Sequence, residues 1–194
     1  MYTKARIAGH PIHPALIAFP VALYTATLVA LLVFAGTDDG FWYRAAMWTN
    51  IAGVVMAAVA AIPGLIDLLS LPRRTRARTT GLRHAGFNVL ALVLFVVSAV
   101  LLWRSFHGAP NADGTLHYAF TAPLVLSIIG LASTMVAGAL GWTLVQTHHV
   151  GIRPTQHGLA RSPEDVDDLD ELVQTEPPAV IIQEEHFTDR TLRH

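Results

Sequence analysis

No cysteine occurs among the 194 residues. That excludes a disulfide framework, thiolate metal sites, thiolate-bound clusters and cysteine nucleophiles, and it leaves the redox compartment open. Charge is scarce as well: 14% of residues are charged and 53% hydrophobic, whereas a soluble domain carries about 25% charged residues. Also missing are GxSxG, HExxH and phosphate-loop spacings, so hydrolytic chemistry has no motif here and the reading leans away from a conventional enzyme. No apolar run shows the polar face that a soluble amphipathic helix presents. These absences together describe a membrane-embedded chain.

What is present agrees. Four apolar segments, about Pro14 to Ala35, Ala45 to Leu71, Leu82 to Leu102 and Tyr118 to Val145, reach the length needed to cross the hydrocarbon core. That length is about 20 residues for a core roughly 30 Å thick. A backbone in lipid must satisfy its own hydrogen bonds, so each segment is expected to be a helix. The first is too long for the apolar region of a signal peptide. The expected fold class is all-α: a four-helix transmembrane bundle over residues 1–153, followed by an acidic tail, 154–194. No internal repeat is convincing, although four helices can hide a weak two-helix duplication. Gly53, Ala60 and Asp67 form one stripe on the second segment. Gly130, Thr134, Gly138 and Gly141 supply small residues for close helix packing on the fourth.

Charge is unevenly placed. Residues 1–150 hold nine Lys/Arg and four Asp/Glu, while residues 151–194 hold four Arg and ten Asp/Glu. The stretch PRRTRARTTGLR reads as a basic loop with Arg73, Arg74, Arg76, Arg78 and Arg83, and Lys4 and Arg6 lie on the same side. The positive-inside rule then puts both termini in the cytoplasm of an inner-membrane protein. Trp42, Tyr43, Trp48 and Trp142 suit interfacial anchoring. The tail, with RSPEDVDDLDE, TEPPAV and IIQEEHF, has the composition of a disordered segment, in which Ala179–Gln183 suits a short strand or docking segment. Arginines set between apolar spans do not suggest a nucleic-acid binder.

An even number of crossings brings distant histidines to one face. His10 and His13 precede the first helix, Asp67 ends the second, His84 begins the third, and His148 follows the fourth. In GHPIHP each proline biases the preceding histidine toward extended conformation, so His10 and His13 are expected to project from one side of a polyproline turn, with Pro14 opening the helix. His84 and Asn88 share a helix face. Gly138, Gly141 and His148 follow heptad-like spacing, which predicts an inward His148. Asp67, a carboxylate near a helix C-terminus, calls for a proton, a metal, or a partner such as Arg83 or Arg74.

The segments GHPIHPALIAFPVALY, PGLIDLLSLP, GLRHAGFN and GWTLVQTHHVGI together resemble the bacterial domain-of-unknown-function 2231 membrane family over about residues 8–153. The resemblance implies a four-helix membrane domain, sometimes joined to a Rieske-type iron–sulfur domain or other redox modules. Its motif positions fall on His10, His13, Asp67, His84, Asn88 and His148. The chain departs from the pattern at His149, and its tail lacks the ligands of a Rieske centre.

The leading expectation is therefore a cofactor site with an accessory electron-transfer role. Either haem b is held by His10, His13, His84 or His148, with Arg73, Arg74 or Arg83 on the propionates, or a transition-metal ion is bound by the same histidines and Asp67. The alternatives are a proton-relay or transport component and a structural interaction subunit without cofactor. Expected partners are the lipid bilayer, a redox membrane protein, a basic cytoplasmic protein for the acidic tail, and further copies of the chain in a homo-oligomer.

Overall fold

The computed structural model describes residues 6–7, 10–108 and 118–150, all within the first of the chain's two units, Met1–Arg153. The acidic segment 154–194, with its expected disorder and its Ala179–Gln183 run, lies outside the described residues. A two-residue strand β1 (Arg6–Ile7) pairs antiparallel with β2 (His10–Pro11), Ile7 opposite His10. Then come α1 (Ile12–Leu16), α2 (Ala18–Thr37), α3 (Gly40–Ser70), α4 (Arg76–Phe106) and α5 (Thr121–Gln146). Four spans are long and apolar enough to cross a membrane: Ile12–Thr37, Gly40–Ser70, Arg76–Phe106 and Thr121–Gln146. The first contains α1 and α2, parted at Ile17. Pro20 has no N–H to offer the Leu16 carbonyl, so the ladder lacks a bond at that turn.

The middle helices are longer than the apolar segments. At 31 residues each and about 1.5 Å per residue, α3 and α4 exceed the hydrocarbon thickness and extend into the interfacial zones. Most of the stretch expected as a basic loop is consequently helical: Arg76, Arg78 and Arg83 belong to α4. Its start is set by Thr75, whose Oγ1 accepts from Arg78 N (3.2 Å) and donates to Pro72 O (2.9 Å). At the other end of the bundle two aspartates connect α2 to α3. Asp38 takes a left-handed conformation (φ 53°), and Asp39 Oδ1 accepts from Phe41 N (2.8 Å).

α2 packs along α3 and α4 along α5, giving two helical hairpins. The densest core lies at the Asp38–Asp39 end, where Leu31, Phe34, Tyr43, Met47 and Leu102 are buried together. Tyr43, expected at the interface, instead points inward and donates to Leu102 O (3.1 Å). Trp48 and Trp142 are exposed, as anchors facing lipid would be.

The two hairpins repeat each other. His13 pairs with His84, Tyr24 with Phe95, Thr27 with Ser98 and Leu31 with Leu102, each 71 residues apart; Gly53 with Gly130, Asn50 with Ser127, Ala60 with Ala137 and Gly64 with Gly141 are each 77 apart. The contacts repeat as well as the positions. A Cβ on Gly53 would meet Tyr24 Cε1 at 2.7 Å, and one on Gly130 would meet Phe95 Cε2 at 2.8 Å. Thr27, Asn50, Ser98 and Ser127 are all fully buried, and Asn50 and Ser98 are joined at 2.9 Å. Each helix of the first hairpin corresponds to the helix of the second that runs in the same chain order, as in parallel repeats.

Candidate functional site

His13 lies in helix α1, not in an extended turn as its neighbouring prolines suggested. Pro14 is the third helical residue rather than the first. Its missing N–H falls among the orphan donors of a first turn and removes no intrahelical bond. The pre-proline bias is overridden by tertiary contacts: His13 Nδ1 lies 2.8 Å from Ala60 O on α3. The ring packs on Gly64, where a Cβ would come within 2.8 Å of His13 Cε1. A carbonyl accepts only, so Nδ1 carries the proton.

His84 repeats the arrangement in the second hairpin. Its Nδ1 donates to Ala137 O on α5 (2.8 Å), and a Cβ on Gly141 would approach its Cε1 to 3.2 Å. Asn88 Nδ2 donates to His84 Nε2 (3.1 Å) and to His84 O (2.9 Å). An amide N–H₂ only donates, which makes Nε2 an acceptor and the ring neutral with its proton on Nδ1. The two imidazoles meet across the hairpins in a T-shaped relation, centroids 6.1 Å apart and planes at 88°. Between this pair and the Tyr24–Phe95 layer the buried positions include Pro20, Ala60, Ala91, and Ser133, Thr134 and Ala137.

The other expected site residues are not all drawn into this pair. His10 contributes its backbone to β2, and its side chain lies outside the described residues. His148 falls beyond the end of α5, capped at Thr147, and is half-buried. Its Nε2 meets Thr80 Oγ1 of α4 at 3.5 Å, one turn before His84. Asp67 is buried on α3 and its carbonyl accepts from Ser70 Oγ (2.6 Å). Arg73, Arg74 and Arg83 are exposed. Arg78, which had no special role in the sequence, closes the end of α3 by donating from Nη1 to Leu71 O (2.9 Å).

The pair therefore stands apart from the five-membered grouping that topology suggested. Among the described residues no set of three or more His, Asp or Glu is gathered as a metal ion would need. Two imidazoles alone do not make a complete protein coordination sphere for a bare ion. The chief contacts missed in the sequence are the Ala60 and Ala137 carbonyls and the Gly64 and Gly141 surfaces. Their signal was the 77-residue spacing between the hairpins, visible only once the histidines were paired.

A family model described as "Predicted membrane protein (DUF2231)" matches residues 9–154, and the chain belongs to that family. Comparison with curated proteins and with solved structures gave no match. The family description and the four spans make this an integral membrane protein.

Proposed function

We propose that the protein is a haem-binding redox subunit of the plasma membrane, with both termini cytoplasmic, in which His13 and His84 would hold a b-type haem. The observation that carries this reading is the relation of the two rings, 6.1 Å apart at 88°, each with Nδ1–H committed to a backbone carbonyl. Metal-ligating histidines characteristically donate their other nitrogen in this way, which fixes the tautomer and aims Nε2.

Haem is favoured over a bare ion because two protein ligands suffice only where the macrocycle supplies the remaining four. To hold the group, His84 Nε2 would have to be released by the Asn88 amide, whose second bond is to His84 O. Arg83, exposed at the same end of the bundle, would serve a propionate. When bound, the haem supplies one-electron chemistry; the chain's own residues hold and orient it. The cytoplasmic orientation rests on the excess of Lys and Arg at the histidine end.

The test is the spectrum of protein purified from haem- and metal-replete cells. A Soret band with a low-spin α-band, lost in both His13→Ala and His84→Ala, is the expected result. A colourless preparation would overturn the haem reading, and elemental analysis showing a stoichiometric metal without haem would replace it with the bare-ion site.

A further inference from the structure

We infer that the crevice between α3 and α4, at the Asp38–Asp39 end of the bundle, holds one anionic phospholipid, with an acyl chain along the crevice and the phosphate on Arg104. The inference is independent of the haem reading.

A groove of about 270 Å³ lies there between Ile51 on α3 and Ala99, Val100, Trp103 and Arg104 on α4. Its lining is apolar except for the guanidinium of Arg104, which makes no hydrogen bond or ion pair among the described residues. Trp103 is met edge to face by Trp48 of α3, with centroids 6.1 Å apart. At about 1.5 Å per residue, Trp103 and Arg104 fall within about 5 Å of the end of α4, and Ala99 about 10 Å from it. Tryptophan and arginine thus stand at headgroup level, and the aliphatic part of the groove lies among acyl chains. An apolar channel that ends in a cation matches the two parts of an anionic lipid. The volume suits a single hydrocarbon chain and not a helix, which is about 10 Å across.

The duplication supplies an internal comparison. By the offsets of 71 and 77 residues, the counterpart of this crevice is the one between α2 and α5. There Leu28, Leu32 and Val33 stand for Ala99, Trp103 and Arg104, and Val125 and Ile128 stand for Trp48 and Ile51. A leucine side chain occupies the position where Ala99 leaves room, and the equivalent positions carry neither a cation nor an aromatic ring. Both crevices meet the bilayer, so contact with lipid is common to them. Room for a chain, tryptophan at the interface and an arginine beside it are combined in the α3–α4 crevice alone of the two.

Native mass spectrometry of the full-length protein, stripped of lipid in detergent and titrated with phosphatidylglycerol or with phosphatidylcholine of the same acyl chains, tests this. The wild type is expected to hold one phosphatidylglycerol per chain that Arg104→Gln, a change at an exposed position, binds about fivefold more weakly, the worth of one basic residue at an anionic surface. Phosphatidylcholine retention should be the same in both. Ala99→Leu, which copies the other crevice, should lose the same phosphatidylglycerol, and Arg73→Gln, at the opposite end of the bundle, should keep it. Equal phosphatidylglycerol retention by the wild type and either Arg104→Gln or Ala99→Leu, loss of that lipid in Arg73→Gln, a parallel fall of phosphatidylcholine in Arg104→Gln, or displacement of the lipid by inorganic phosphate would each overturn the inference. A dimer that Ala99→Leu dissociates would overturn it in favour of a contact between copies of the chain.

Discussion

Tyr24 and Phe95 lie face to face across the two hairpins, with ring centroids 3.6 Å apart and planes within 1°. They are equivalent positions of the two repeats, so the contact joins the halves at their common axis, one layer away from the histidine pair. The two rings differ by a single hydroxyl.

That hydroxyl leads to the first prediction. Tyr24 Oη is buried and has no hydrogen-bond partner among the described residues. A buried polar group without a partner costs about 1–3 kcal/mol. Tyr24→Phe, which makes the stack symmetric, is therefore expected to raise stability by about 1 kcal/mol or more. Thermal unfolding in detergent, followed by circular dichroism, measures it, and a lowered midpoint would show that the hydroxyl has a partner.

Glycines supply a paired comparison. Gly53→Ala and Gly130→Ala drive a methyl to 2.7 Å and 2.8 Å from the Tyr24 and Phe95 rings, and each is expected to cost about 1–3 kcal/mol through overpacking. Gly86→Ala meets nothing within 4 Å and should be neutral or stabilising by up to about 1 kcal/mol, since alanine is the better helix former. The same unfolding measurement on all three variants checks the contrast.

Arg78 secures the turn between α3 and α4. Its guanidinium donates to Leu71 O at 2.9 Å and Leu68 O at 3.4 Å, satisfying carbonyls that the end of α3 leaves open. Arg78→Ala should destabilise the protein by about 1–2 kcal/mol, and protease sensitivity of the α3–α4 connection should rise with it. Arg73→Ala, at an exposed neighbour, should do neither.

Orientation is open to a clean chemical test because the chain has no cysteine of its own. Single variants Arg73→Cys and His107→Cys lie at opposite ends of the bundle. A membrane-impermeant maleimide applied to intact cells is expected to label the second and spare the first until the membrane is opened. The reverse pattern would place the histidine end outside the cytoplasm.

Much of the architecture was legible in the residues because lipid leaves so little choice: an apolar run must be a helix, and four such runs return the chain to the side on which it began. The ends were less legible. Arg76 and Arg78 extend α4 beyond the apolar window, since charged side chains at the interface neither oppose nor mark a helix. Thr147 ends α5 before His148, since the cap depends on local backbone bonds and not on the heptad. The duplication escaped notice because its identical positions, such as His13 and His84 or Gly53 and Gly130, are scattered among unlike ones and the offset changes from 71 to 77 residues between the helices. Tyr24 and Phe95, or Thr27 and Ser98, show their kinship by what they touch.

The number of spans, the common face shared by His13, Asp67, His84 and His148, and the inward stripe of Gly53, Ala60 and Asp67 were all determined by sequence, through hydrophobic length and helical period alone. Which of those histidines meet was decided by tertiary structure. An imidazole can reach only the carbonyl or ring that packing brings within a few ångströms, and that depends on how each helix is rotated about its axis. The Ala60 and Ala137 carbonyls, on helices distant in sequence, orient the His13 and His84 rings, and no property of the isolated segments specifies that meeting.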